Sequence, residues 1–263
     1  SLNNPVTGTP LVVTLSGGTT ITIPVGQSTA SSAAVPVRAD DAYIQGTQAV
    51  VASITGTTGG NFEALTTTST VSTSVTDDAD ATTVTLTASA ASVTEGGSIV
   101  YTATLNNPVT GTPLVVTLSG GTTITIPVGQ SSASSAAVPV RADDAYVQGT
   151  QAVVASITGT TGGNFEALTT TSTVSTSVTD DADATTVTLT ASAASVTEGG
   201  SIVYTATLNN PVTGTPLVVT LSGGTTITIP VGQSTASSAA VPVRADDAYI
   251  QGTQAVVASI TGT

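Results

Sequence analysis

Apolar and polar residues alternate along this chain with a period of two. Ile99, Tyr101, Ala103 and Leu105 fall on one side, and Ser98, Val100, Thr102 and Thr104 on the other. That is the pattern of a strand with one buried face. It recurs at Val84, Leu86 and Ala88, at Leu114, Val116 and Leu118, and at Ile124, Ile126 and Val128. Further along it returns at Ala136, Val138 and Val140, at Val153, Ala155 and Ile157, and at Val174, Thr176 and Val178. Gly, Pro and Asn clusters separate these runs, and no helical period appears. About seven strands in roughly 100 residues predict an all-β fold, an antiparallel sandwich of immunoglobulin-like size. The abundant Thr suits the solvated strand faces. Pro127 and Pro139 interrupt two strands and are expected at sheet edges, where a missing N–H does no harm.

The pattern is also repeated on a larger scale. The segment LNNPVTGTPLVVTLSGG begins at Leu2 and returns at Leu105 and Leu208, 103 residues apart. Internal repetition of this kind marks tandem domains. The expected division is an incomplete repeat over 1–80, lacking strand A and most of B, a complete repeat over 81–183, and an incomplete repeat over 184–263, lacking strand G. The copies differ only by exchanges of similar residues: Thr29, Ser132 and Thr235; Ile44, Val147 and Ile250; and Ser1 in the place of Thr104. The chain is expected to be a window on a longer array.

Composition narrows the function. There is no His, Cys or Lys, so the usual nucleophile–base pairs, thiolate or imidazole metal sites and Schiff bases are excluded, and no enzyme activity is expected. Sixteen acidic residues face three basic ones, for a net charge of -13. Such a chain repels nucleic acid and anionic membrane surfaces. No apolar run approaches the ~20 residues of a membrane span, and no signal peptide opens the chain, so a soluble fragment without membrane insertion is expected.

The acids are placed unevenly. In the complete copy Glu95, Asp143, Asp144, Glu166, Asp180, Asp181 and Asp183 all lie in predicted loops or linkers. In a sandwich of alternating strands, the AB loop (Glu95), the EF loop (Asp143, Asp144) and the exit from strand G (Asp180, Asp181, Asp183) share one pole, with Arg141 the nearby cation. Crowded carboxylates repel one another. Ca2+ removes that cost, because it accepts six to eight oxygen ligands in flexible geometry. The plainer reading makes DDAD a solvated linker and DDAY a polar turn; their convergence with Glu95 favours calcium. The same positions in the flanking copies are Asp40, Asp41, Asp77, Asp78 and Asp80, and Glu198, Asp246 and Asp247.

Asp180, Asp181 and Asp183 also stand between one copy and the next. They meet a pole carrying the BC loop (Asn209, Asn210, Pro211), and in the complete copy the FG loop there holds Asn164 and Glu166. Calcium at this junction would remove linker freedom, so the array is expected to be flexible without calcium and stiff with it. The acidic chain is further expected to stay unfolded until it meets calcium.

The segments VTLTASAASVTEGGSIVYTATLNNPVTG, TLSGGTTITIPVGQ, VPVRADDAYVQGT, ITGTTGGNFEALTT and SVTDDADATTVTL together resemble the extender repeats of giant RTX adhesins of Gram-negative bacteria. That family includes biofilm adhesins and the ice-binding adhesin of a cold-water Marinomonas. The resemblance covers the whole chain. It implies a calcium-dependent immunoglobulin-like fold, type I secretion, a cell-surface location and a spacer role that holds a distal ligand-binding region away from the cell, with neighbouring repeats as the partners. The E-G-G, D-D-x-Y and D-D-x-D elements are also similar to Calx-β sandwiches, which implies Glu95, Asp143, Asp144, Asp180, Asp181 and Asp183 as ligands. The chain lacks the short RTX nonapeptides themselves and the Cys pair and Trp of antibody domains.

Two other readings are weaker. Thr-x-Thr runs at Thr123–Thr125 and Thr186–Thr188 suggest an ice- or glycan-binding surface, but a twisted sandwich face is a poor flat array, and few aromatic platforms are present. Paired carboxylates could suggest glycoside cleavage, but no cleft is indicated.

Overall fold

The two-residue alternation becomes the burial pattern of the strands in the computed structural model, which describes residues 1–263. In the middle copy, Val84 and Leu86 are buried on strand Ala81–Ala88, with Thr83, Thr85 and Thr87 exposed between them. Tyr101, Ala103 and Leu105 are buried on Tyr101–Leu105, and Leu114, Val116 and Leu118 on Leu114–Leu118. The fold is an all-β sandwich, and no helix is long and apolar enough to cross a membrane. Fully burying each Val or Leu side chain of these rows contributes about 1.5–3 kcal/mol, so even a Thr- and Ser-rich chain builds a core from a few rows of aliphatic residues.

The seven expected strands appear in the complete copy as eleven segments. The second strand is broken at Val100 into Ser98–Ile99 and Tyr101–Leu105. The fourth stops at Ile126, and Val128 sits in the following turn, where Gly129 N–H donates to Val109 O at 2.8 Å. The fifth divides into Ser132–Ser134 and Val138–Pro139, leaving Ala136 and Val140 outside both. Ser135 causes that break: its N–H donates to Tyr101 O at 2.8 Å while its hydroxyl accepts from Tyr101 N–H at 3.1 Å. Pro127 closes a strand that pairs only with Leu114–Leu118, and Pro139 lies in a two-residue strand paired only with Ser98–Ile99.

Two short strands were not expected, and both pair parallel. Ala167–Thr169 runs beside Ala81–Thr83, and Ser92–Thr94 beside Ser177–Thr179, the end of the expected last strand. The sandwich is therefore mixed where its first and last strands meet.

The chain forms two compact units. Unit 1 comprises Ser1–Ser89, Val100–Ala136 and Val154–Val174. Here the first copy forms a sheet in the order Thr20–Ile23, Leu11–Leu15, Gln48–Thr58, Thr70–Val75 over Val6, Leu11, Val13 and Ile23. From the middle copy the unit takes the sheet Ser132–Ser134, Tyr101–Leu105, Ala81–Ala88, Ala167–Thr169. Unit 2 comprises Ala90–Ile99, Ala137–Val153 and Ser175–Thr263. Its third-copy core is Ile202, Tyr204, Ala206, Leu208, Val212, Val219, Leu221, Ile227 and Ile229.

Candidate metal centre

Glu95 follows the short strand Ser92–Thr94, which the last strand of the same copy covers by parallel pairing. The Glu95 N–H donates to Thr179 O at 2.9 Å, and Gly96 N–H donates to Arg141 O at 2.8 Å. These bonds draw the EGG turn against both the exit strand and the DDAY segment. Gly96 has φ +71°, and a Cβ there would meet the Asp143 Cβ at 2.9 Å, so only glycine lets the two loops approach.

The result is a buried carboxylate, with Glu95 4% exposed. Its Oε2 accepts from Arg141 Nε at 3.0 Å, while its Oε1 is buried without a hydrogen-bond partner. Around it stand Asp143 and Asp181, with carboxylate oxygens of all three residues within 4.8 Å of one another. The negative charges of Asp181 and then Asp183, together with partial desolvation, push the Asp143 carboxyl above its usual range. A set of close carboxylates with one orphaned, buried oxygen could hold a metal ion, and its all-oxygen donors fit the chemistry of a hard cation such as calcium.

The neighbouring acids have partners within the chain. Asp180 accepts from the backbone N–H groups of Gln148 at 2.7 Å and Gly149 at 2.9 Å and pairs with Arg141. The bond from Gly149 N–H is the largest influence holding its carboxyl below the ordinary range; Gln148 N–H and Arg141 reinforce it against desolvation. Asp144 accepts from Tyr146 N–H at 2.8 Å and from the Gln148 amide. Adjacent aspartates thus divide the work: Asp143 and Asp181 face the acid cluster, while Asp144 and Asp180 tie down the loop.

Unit 1 repeats this division. Asp77 accepts from Gln45 N–H at 2.7 Å and Gly46 N–H at 2.6 Å and pairs with Arg38. Desolvation alone would raise its carboxyl, but those N–H groups and Arg38 lower it overall. Asp41 accepts from Tyr43 N–H at 2.9 Å. Asp40, Asp78 and Asp80 form a second carboxylate group. A hydrogen bond to Asp78, then the charges of Asp78 and Asp80, raise the Asp40 carboxyl, and Glu166 adds to this. The Glu166 carboxylate also accepts from Asp80 N–H at 2.8 Å. A cleft of about 300 Å3 lies here, lined by Arg38, Asp40, Asp41, Asp77, Asp78 and Glu166 among others.

In the third copy Glu198 pairs with Arg244 at 3.1 Å, and Asp246 lies beside Gly199, whose added Cβ would meet the Asp246 Cβ at 3.0 Å. Asp247 accepts from Tyr249 N–H at 2.8 Å.

Sequence reasoning singled out the acids and Arg141 as their nearby cation, but not which acids Arg141 pairs or the backbone that sorts them. Arg141 binds Glu95, Asp180 and Gly149 O together. Gln148 and Gly149 form a backbone cradle for Asp180. The signal was the whole block VRADDAYVQGT, which returns in the other two copies with Ile in place of Val147.

No curated protein resembles the chain closely enough to count as a relative. Among solved structures it is similar to a tetra-tandem repeat in the extending region of a large adhesion protein, at 19% identity and a TM-score of 0.32, with 92% of this chain matched. The match spans 59% of that structure's chain. The LapA domain matches three times in succession, over residues 1–78, 80–181 and 183–263, and the chain accordingly belongs to the LapA domain family.

Proposed function

We propose that this chain is a length of extender in a bacterial surface adhesin, a non-catalytic spacer whose loops and repeat junctions are stiffened by calcium. In this reading it works outside the cell after type I secretion, and its partners are the neighbouring repeats, while a distal region of the parent protein contacts the ligand or biofilm surface. Glu95, Asp143 and Asp181, with Asp183 nearby, would hold one cation. Asp40, Asp78 and Asp80, with Glu166, would hold another. The cation would supply the positive charge these carboxylates lack.

The observation that carries the reading is the buried Glu95 Oε1, which has no partner in a site rich in negative charge. Burying a carboxylate oxygen without a partner is costly, and a resident cation removes the cost. Binding to the folded state alone raises stability by mass action. Thermal melting of the chain in calcium and in excess chelator tests this: calcium is expected to raise Tm, Glu95→Gln to reduce the gain, and identical melting in both buffers would overturn the proposal.

A further inference from the structure

From the contacts between the first and middle copies, we infer that Ala42–Tyr43–Ile44 of one repeat and Asn164–Phe165–Glu166 of the next form an interlock that sets the register of successive repeats without metal. Both segments belong to unit 1. They pair as a short antiparallel bridge centred on Tyr43 and Phe165. Ile44 N–H donates to Asn164 O at 3.3 Å, and Glu166 N–H donates to Ala42 O at 3.2 Å. The Asn164 side-chain amide adds a bond to Ile44 O at 3.1 Å. The Tyr43 and Phe165 rings lie 5.7 Å apart at a tilt of 34°, and the Tyr43 hydroxyl donates to Pro108 O at 2.8 Å. One aromatic residue thus touches two loops of the following repeat, and none of these contacts uses a carboxylate.

The loop is shaped for this role. Gly163 has φ +72°, and a Cβ there would meet the Phe165 ring at 2.9 Å, so glycine lets the ring fold back under its own loop. The third copy supplies the internal control. Tyr146 keeps its bond to the next BC loop, donating to Pro211 O at 2.9 Å, but the third copy ends before an Asn-Phe-Glu loop. Val147 is then 96% exposed, whereas Ile44, with that loop beside it, is 56% exposed. An exposed aliphatic residue after the tyrosine of every copy is the other half of a contact that the following repeat completes.

This inference stands apart from the calcium reading, and chelator separates the two. The chain has no cysteine, so spin labels can be placed by Thr22→Cys and Thr125→Cys on exposed strand positions of the first and middle copies. In excess chelator the distance distribution between them is expected to be narrow. Asn164→Ala and Tyr43→Ala should abolish the narrow component, while Tyr43→Phe should broaden it only in part. Tyr43→Ala is decisive because Tyr43 lies outside the middle copy's core, and unchanged melting of that copy shows that its fold survives. A distribution already broad in the unsubstituted chain, or one unmoved by Asn164→Ala and Tyr43→Ala, would overturn the interlock. Identical melting in calcium and in chelator, with the narrow distribution kept, would instead count against the calcium reading alone.

Discussion

The acid poles of the middle and third copies start from the same residues and reach different states. Each has an EGG turn, an arginine and a DDAY segment, and in each the arginine Nε reaches the glutamate, at 3.0 Å for Arg141–Glu95 and 3.1 Å for Arg244–Glu198. Only the middle copy is followed by its last strand and exit acids. There the side chains of Arg141 and Glu95 are 15% and 1% exposed, against 30% and 24% for Arg244 and Glu198. The hydrogen bond from Glu95 N–H to Thr179 O and the pairing of Ser92–Thr94 with Ser177–Thr179 account for the difference. A buried, partly unsatisfied carboxylate is therefore a tertiary product of the exit strand, not a local property of EGG.

Removing each arginine separates the two poles most strongly. In chelator, Arg141→Ala leaves a buried charge unpaired and is expected to cost about 3 kcal/mol in denaturant unfolding. Arg244→Ala, at a more open pair, should cost under about 1 kcal/mol. Equal losses would mean that the exit strand does not set the environment of Glu95.

Gly96→Ala comes next, at about 1–3 kcal/mol from the positive φ and the close Asp143 Cβ. Its calcium-induced Tm gain should shrink as well, since the substitution pushes apart two of the three clustered carboxylates. Gly199→Ala has a similar steric problem, but the Asp246 loop lacks exit acids to hold it, so a smaller loss is expected. Calorimetry with and without calcium would compare them.

Acid titration should separate the two kinds of aspartate in the middle copy. Asp180 has a folded-state value below 3.8, so its stabilising contribution is complete above that value and is lost as pH falls through the lower folded value. Asp143 is raised, so its charged form opposes the metal-free fold, and protonation relieves that opposition as pH falls through a value above 3.8. Denaturant midpoints in chelator should thus rise slightly below neutral pH and then drop. Asp180→Asn should flatten the drop, and Asp143→Asn the rise. Midpoints that decline steadily in all three proteins would contradict the assignment.

The smallest effect is the same in both copies. Asp144 and Asp247 each accept from the N–H of the tyrosine two residues on, at 2.8 Å in both copies. Asp144→Ala and Asp247→Ala are each expected to cost about 0.5–1.5 kcal/mol, measured by unfolding. A large inequality would show that this turn also depends on the exit strand.

These contrasts explain what could be read from the residues. Rows such as Leu114, Val116 and Leu118 were legible because alternation reports directly on one buried face. The carriers of the acid pole were legible because charge on a β sandwich is confined to loops. The split within each Asp-Asp pair was not, since neighbouring residues of one type differ only in which way the folded loop turns them, and Gln148 and Gly149 decide that for Asp180. The short strands at Ala167–Thr169 and Ser92–Thr94 were hidden for a related reason: a short Thr- and Ser-containing run carries no sign of its partner's direction.

The parallel pairing of Ser92–Thr94 with Ser177–Thr179 has a mechanical consequence. A load applied along the polypeptide pulls the first of these strands toward the start of the repeat and the second toward its end. In a parallel pair those pulls are opposed along the strand axis, so the hydrogen bonds are sheared together instead of being peeled one at a time. Rupture under force is governed by the unfolding rate. Each repeat of this geometry should therefore resist tension far better than an antiparallel hairpin of the same length.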